Sequence, residues 1–245
     1  MKSIGRIFSL TKRNLKEIIR DPLSLIFLFA LPIAMLVLFY FLFSKVTSQF
    51  ELKYFAPGIA AFGSTFIALF MGILIATDRS SAFLTRLYTT PIRPYEFILG
   101  YAVAMLPIGL VQTSLFFLIG VLLDSSILSW NIILVIIASL IITILFIGFG
   151  IFFGAACSEK SVGGLCSILI MGQSVLSGMW FPIDGLSEGF IKFMEILPFR
   201  NSVLILQNIM INKGDVFKPM LIIIIYTIAV FIISICTYAY KMKQN

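Results

Sequence analysis

The sequence predicts an all-α membrane protein with six transmembrane helices, and two observations carry this prediction. The first is composition: 60% of the 245 residues are hydrophobic and 12% are charged, whereas soluble domains average roughly 45–50% apolar and 25% charged residues. The second is that the apolar residues form six charge-free runs, each long enough to cross a hydrocarbon core of about 30 Å as a helix. β-Barrels show alternating segments of about ten residues instead.

The six runs divide a single transmembrane domain, residues 1–245, into predicted spans. We expect these at about 22–44, 54–77, 97–123, 132–157, 162–183 and 219–240. The fourth run covers 125–158 and is long enough to raise the possibility of two spans. Its first residues, SSILSWN, are typical of a short loop, so we predict a single helix there. The first run begins late, lacks a small-residue cleavage site and can span, so we expect it to remain in the mature protein.

Residues 1–21 precede the first span and are predicted to form an amphipathic interfacial helix. Its apolar residues recur at helical spacing: Ile4, Ile7, Phe8, Leu15, Ile18 and Ile19. Six basic residues lie elsewhere on the helical wheel: Lys2, Arg6, Lys12, Arg13, Lys16 and Arg20. Two roles stay open, an anchor on the anionic inner leaflet that sets topology and a part of a partner-binding surface.

The charges predict that both termini are cytoplasmic. With six spans, the side that holds the termini carries 12 of the 18 basic residues and five acids, and the other side carries six of each. The formal net charge of +7 therefore lies on one side, and basic loops stay in the cytoplasm. Tyr101, among other aromatic residues, is expected at the inner interface. The charge reflects topology, not nucleic-acid binding.

Two connections between spans are long enough to form elements of their own. The first, residues 78–100, has three arginines and two prolines between apolar runs and is predicted to be a cytoplasmic docking element between spans 2 and 3. The second follows the fifth span on the outer side. Its charge-free stretch at 201–212 is too short to cross the bilayer and predicts an interfacial or re-entrant element.

Small and polar residues inside the spans predict close helix packing. The second span repeats small residues every four positions from Ala60 to Ala76, and Gly150 and Gly154 repeat that spacing in the fourth. Gly163, Ser167, Ser174 and Ser177 share one face of the fifth span, with Gln173 beside them. These groups either bond a neighbouring helix or line a cavity.

Residues for catalysis or metal binding are scarce. The chain has no histidine, its three cysteines lie in predicted spans without CxxC spacing, and no carboxylates pair within a span. Residues 154–161, GAACSEKS, match the phosphate-loop pattern except that Glu159 replaces its second glycine, whose backbone must wrap the phosphates. We therefore expect no ATP site, no cofactor and no metal in this chain.

Residues 84–101, LTRLYTTPIRPYEFILGY, resemble the cytoplasmic loop of membrane subunits of the ABC type-2 exporter family. The positions that match are Leu84, Arg86, Leu87, Thr90, Pro91, Glu96 and Gly100. Residues 177–207 resemble the family's segment before the last helix. The matching positions there are Ser177, Gly178, Phe181, Pro182, Pro198, Phe199 and Gln207. The chain departs from the family at residues 80–83, at Thr85, at Tyr101 and at Asn201.

The resemblance implies a drug- or antimicrobial-export-like permease subunit that docks two copies of an ABC ATPase. It implies pairing with a second permease subunit, identical or homologous, while ATP and Mg²⁺ are bound by the partner ATPase. The residues implied in ATPase coupling are Arg79, Leu84, Arg86, Leu87, Thr90, Pro91, Arg93 and Glu96. Those implied in the substrate path are Phe62, Thr65, Phe66, Gln173 and Ser177.

The expected function is ATP-driven export of a hydrophobic or amphipathic compound across the cytoplasmic membrane. A drug, an antimicrobial peptide or a lipid-linked molecule would fit spans without charge. Two other classes stay open, an ATP-independent secondary carrier and a non-transporting assembly or receptor subunit. Carriers usually keep an ionisable residue within the bilayer, and all six predicted spans lack one.

Overall fold

Residues 3–81, 94–183 and 185–242 are described in the computed structural model of the chain, and helices dominate them. A π-helical turn, Ile26–Ala30, joins α2 to α3, and short 3₁₀ turns lie at Ser48–Phe50 and Ser125–Ile127. The α-helices are α1 (Ser3–Arg20), α2 (Pro22–Leu25), α3 (Leu31–Phe43), α4 (Leu52–Ser80), α5 (Pro94–Leu123), α6 (Asn131–Ala156), α7 (Glu159–Leu176), α8 (Glu188–Ile196), α9 (Pro198–Ile211) and α10 (Phe217–Met242).

Five helical stretches of the described residues are long and apolar enough to cross a membrane. They are Pro22–Phe43, Leu52–Ser80, Tyr95–Leu123, Asn131–Ala156 and Phe217–Thr237, and they match predicted spans one to four and six. The predicted span at 162–183 is α7, which has 18 residues and starts with charged Glu159 and Lys160. The prediction placed its end too late: α7 stops at Leu176, and the following Gly178 has a φ of +71°, outside helical backbone.

The central helix is α4, which packs against α5, α6, α7 and α9. Small residues allow this contact, as the sequence predicted. A Cβ atom on Gly150 would lie 2.6 Å from the backbone oxygen of Ala68, and one on Gly154 would lie 2.8 Å from that of Gly72. The small residues of α4 and α6 therefore serve packing within the chain. The aromatic stripe Phe62, Phe66 and Phe70 is buried in the same core.

The amphipathic N-terminal helix is α1, and it packs along α5. Leu10, Asn14 and Ile18 form its buried face. A Cβ atom on Gly100 would lie 2.7 Å from the Leu10 Cβ atom, so glycine is what lets the two helices approach. Ile4 and Phe8 are exposed apolar residues on another face.

The charge-free stretch predicted at 201–212 falls in α9, which packs against α4, α6 and α10. Val203, Ile205 and Leu206 are fully buried. The Asn201 side-chain amide donates to the backbone oxygens of Glu195 and Leu197, both at 2.7 Å, and fixes the turn from α8 into α9. Helix α9 thus covers the end of the helix bundle that lies opposite α1.

A buried glutamine joins the first three spans in the middle of the bundle. Pro32 has no N–H to donate to the oxygen of Leu28, four residues before it. The Gln112 amide of α5 donates to that oxygen and, at 3.3 Å, to the oxygen of Gly63 in α4. Gln112 is 1% exposed. It therefore supplies a donor to a carbonyl that lies inside the π-helical turn and that Pro32 cannot serve.

Replacing Gln112 with leucine is expected to lower the free energy of unfolding by about 1–3 kcal/mol, because a buried carbonyl loses its donor. The loss should shrink in the Pro32→Ala background, where a backbone N–H becomes available. A double-mutant cycle on thermal unfolding in detergent measures this. Ser114→Ala is the control, since that exposed hydroxyl bonds only Leu110 of its own helix. An equal loss in both backgrounds would contradict the assignment.

Candidate functional site

The candidate coupling loop is described at its two flanks. Residues 82–93 lie outside the described residues, and with them the predicted coupling residues Leu84, Arg86, Leu87, Thr90, Pro91 and Arg93. The flanks are the end of α4, which contains Arg79, and the start of α5, which contains Glu96. Ionic contacts hold both flanks, and two of these contacts come from α1.

Asp78, near the end of α4, is 3% exposed and is held by α1 and α5. Arg13 of α1 donates to its carboxylate with both terminal nitrogens, one of them at 2.5 Å, and the Tyr101 hydroxyl also donates to it. Burial would lower the pKa of Arg13, but the hydrogen bond and negative charge of Asp78 outweigh this and raise it above its ordinary value. Arg13 also pairs with Glu17 at 2.7 Å.

Glu96, in the first turn of α5, is fully buried and is held by α1. Arg6 donates to its two oxygens, from Nε at 3.0 Å and from Nη2 at 2.6 Å, and the Ser3 hydroxyl donates as well. This two-pronged geometry is the one in which arginine binds carboxylate most strongly. The hydrogen bond to Glu96 raises the pKa of Arg6.

Arg79 binds the end of α6. Its guanidinium donates to the backbone oxygens of Gly154, at 2.7 Å, Ala155, and Cys157, at 3.2 Å. The last carbonyls of a helix lack intrahelical partners and carry partial negative charge, so an arginine satisfies them. Arg79 is expected to contact the ATPase, and it could do so only with the part of its guanidinium that these bonds leave accessible.

Glu159 supplies the other contact to this flank. The Thr77 and Ser80 hydroxyls donate to its carboxylate at 3.2 and 2.6 Å. The residue that breaks the phosphate-loop pattern thus ties the start of α7 to the end of α4.

These contacts form a frame of bonded side chains at the two flanks of residues 82–93. The preceding flank is joined to α1, α5, α6 and α7, and the following flank is joined to α1. Sequence reasoning selected Arg79 and Glu96 but missed Arg6, Arg13 and Asp78. One signal in the sequence could have indicated these ion pairs. Asp78 and Glu96 each directly border an apolar run, on the side of the membrane where basic residues predominate.

The substrate-path candidates of α4 lie in an aromatic cluster. The rings of Phe62 and Phe66 meet edge to face at 5.3 Å, and the Phe62 ring lies 5.9 Å from that of Trp180. The Thr65 hydroxyl donates to the Phe62 oxygen at 2.6 Å. All three candidates are at most 5% exposed.

The remaining two candidates are Gln173 and Ser177, the residue that follows α7. The Gln173 amide donates to the Phe199 oxygen and to the Ser202 hydroxyl of α9, both at 3.3 Å. The Ser177 backbone oxygen accepts from Arg200 at 3.0 Å, whereas the Ser177 hydroxyl accepts from the backbone N–H of Met179 at 3.2 Å. Both are fully buried. The polar face of α7 thus includes groups that bond a neighbouring helix, one of the two roles that the sequence left open.

Among the described residues, no group of three or more histidine, cysteine, aspartate or glutamate side chains could hold a metal ion.

A family model described as ABC-2 type transporter matches residues 5–211. The match begins in α1 and ends at the last residue of α9, so it includes both flanks of the coupling loop. No curated protein matches the chain.

Proposed function

The chain belongs to the ABC-2 type transporter family, and on that premise we propose that it is the transmembrane subunit of an ATP-driven exporter. Membership makes it a multi-pass membrane component of an ABC transporter that partners with an ABC ATPase subunit. Export, the cargo and the stoichiometry are the proposal. The observation that carries it is the frame around residues 82–93.

We place the frame on the cytoplasmic side, where the net positive charge of the connections belongs. This orientation makes α7 the fifth of six crossings and puts α8 and α9 on the outer side. An ATPase in the cytoplasm would then meet residues 82–93 and α1 as one surface. ATP and Mg²⁺ belong to that partner.

The coupling step follows from the contacts of the frame. Closure of the ATPase would move residues 82–93, and the bonds of Asp78, Arg79 and Glu96 would carry the motion into α4, α5 and α1. We propose that Leu84 and Leu87 fill an apolar groove of the ATPase, that Arg86 and Arg93 contact its charges, and that Thr90 and Pro91 shape the exit.

We further propose that two permease subunits and two ATPases assemble, with the cargo passing near α4 and α7. Phe62, Thr65, Phe66, Gln173 and Ser177 are buried within one subunit, so a solute would reach them when α4 separates from α7 and α9. The lining would then be aromatic and weakly polar, which suits a hydrophobic or amphipathic compound.

Affinity purification of the full chain from its membrane is expected to bring down an ABC ATPase. Reconstituted in vesicles, that ATPase should hydrolyse ATP at least several-fold faster with the chain than alone, and ATP should drive an amphipathic dye across the bilayer. An ATPase variant without its catalytic carboxylate is the control. ATP-independent dye movement would favour a carrier, and stimulated ATPase without movement of any tested cargo would favour an assembly or receptor role.

A further inference from the structure

Two grooves of different chemistry lie along α1. The first has a volume of about 790 Å³ and is lined by charged residues that include Lys12, Lys16 and Arg20. The second has a volume of about 280 Å³ and is lined only by apolar residues of α1, of the first span and of α5. Lys12 and Lys16 each lie three positions before an apolar lining residue, Leu15 and Ile19. Since positions three apart are neighbours on a helix, the two grooves have neighbouring walls on α1.

The acids of the charged groove are already engaged within the chain. Glu17 pairs with Arg13 at 2.7 Å. Asp21 caps α2, accepting from the backbone N–H groups of Leu23 at 3.2 Å and Ser24 at 3.1 Å. Arg13 is itself bound to Asp78.

The three remaining cations have no such partner. Lys12, Lys16 and Arg20 form no ion pair with any carboxylate in the part of the chain that the structure describes. All three are exposed. The groove lining has four basic and two acidic side chains, a net charge of +2, and three of its cations are left for an external anion.

The apolar groove is built where three elements meet. Leu15 and Ile19 of α1 form one wall, Phe29 of the π-helical turn a second, and Pro107 and Val111 of α5 a third. No polar atom contributes to its surface. A chain of methylene groups fits such a groove, whereas an ion or a hydrated peptide does not.

We propose that the two grooves together bind one anionic glycerophospholipid. Its phosphate contacts Lys12, Lys16 and Arg20, and one acyl chain lies between α1, the π-helical turn and α5. Complementary charge and a neighbouring apolar groove select this ligand over a free phosphate or an acidic protein surface. The site rests on the proposed function only in that α1 lies at the inner leaflet.

The test uses the purified full chain in mild detergent with a fixed mixture of phosphatidylglycerol and phosphatidylcholine, and native mass spectrometry of the lipid that stays bound. The wild type should retain phosphatidylglycerol preferentially. Lys12→Gln/Lys16→Gln/Arg20→Gln should reduce that preference on the order of 10- to 100-fold. Lys45→Gln/Lys213→Gln/Lys218→Gln removes the same charge from the opposite end and should leave the preference unchanged.

The apolar groove is tested separately. Val111→Trp fills it from a half-exposed position and should lower retention of phosphatidylglycerol, whereas Leu118→Trp, seven residues along the same helix, should not. Glycerol 3-phosphate, which has no acyl chain, should fail to displace the lipid.

Three outcomes overturn the proposal. The first is an unchanged preference in the triple variant, and the second is an equal loss in its control. The third is displacement at low concentration, either by glycerol 3-phosphate, which indicates a phosphate site, or by a glutamate-rich peptide, which indicates a protein-docking surface. The measurement contains no ATPase, so its failure leaves the transport proposal standing, and a failed transport assay leaves the lipid site standing.

Discussion

Arg86→Glu and Leu87→Asp, introduced singly into the full chain, are expected to leave the protein in the membrane and to abolish copurification of its ATPase. Neither residue lies in a predicted span, so insertion does not depend on them. If Leu87 fills an apolar groove of the partner, an aspartate there is buried without a counter-charge, at a cost of several kcal/mol. Binding would weaken by more than about 100-fold. Arg86→Glu reverses the charge, so the side chain would repel the ATPase charges that Arg86 is proposed to attract.

Conservative substitutions at the same positions are the matched controls. Arg86→Lys keeps the charge and Leu87→Met keeps the apolar volume, so both should retain most of the ATPase. The readout is the ATPase recovered per mole of chain, with membrane fractionation to confirm insertion. Full ATPase binding and transport in both disruptive variants would show that residues 82–93 do not couple the two subunits.

The positions of the five helices that are long and apolar enough to cross a membrane could be predicted, because apolar length and absence of charge determine them. Several of these helices begin or end up to three residues beyond the predicted span, since a helix can continue past the apolar run, whereas α3 and α6 end one residue before it. Helix α4 extends to Ser80, beyond the predicted 77, because Asp78 and Arg79 have partners on neighbouring helices. At α7 the error has the opposite sign, and the positive φ of Gly178 accounts for it.

The contacts of the frame could not be predicted in the same way. Arg13 meets Asp78 across 65 positions, and Arg6 meets Glu96 across 90. Such pairs depend on how α1 lies against α5, which periodicity within one helix does not determine. The amphipathic pattern of α1 indicated only which faces are apolar and basic. Tyr101 shows the same limit: expected at the membrane interface, it is fully buried against Asp78.

Asp78→Ala is expected to lower the free energy of unfolding by about 3 kcal/mol, because Arg13 then loses its buried partner and keeps only the more exposed Glu17. Asp78 is nearly fully buried and Arg13 is one-third exposed, 4% and 32% for the side chains, so the effect belongs at the lower end of that class. The Tyr101 hydroxyl loses its acceptor in the same variant. Thermal unfolding of the purified chain in detergent measures the change.

A second substitution distinguishes the contribution of the Asp78–Arg13 ion pair from the contribution of packing at either residue. Asp78→Ala/Arg13→Ala should recover part of the lost stability, since the Arg13 charge that loses its buried partner is then removed as well. The exposed pair Glu51 and Lys53, at 2.7 Å, supplies the control, and Glu51→Ala should cost less than about 1 kcal/mol. Equal losses from Asp78→Ala and Glu51→Ala would contradict the frame.

If the frame transmits motion, Asp78→Ala should also keep the ATPase bound while the stimulation of ATP hydrolysis by the chain falls. Retained stimulation in a destabilised chain would confine Asp78 to folding and leave Glu96 and Arg79 as the coupling contacts.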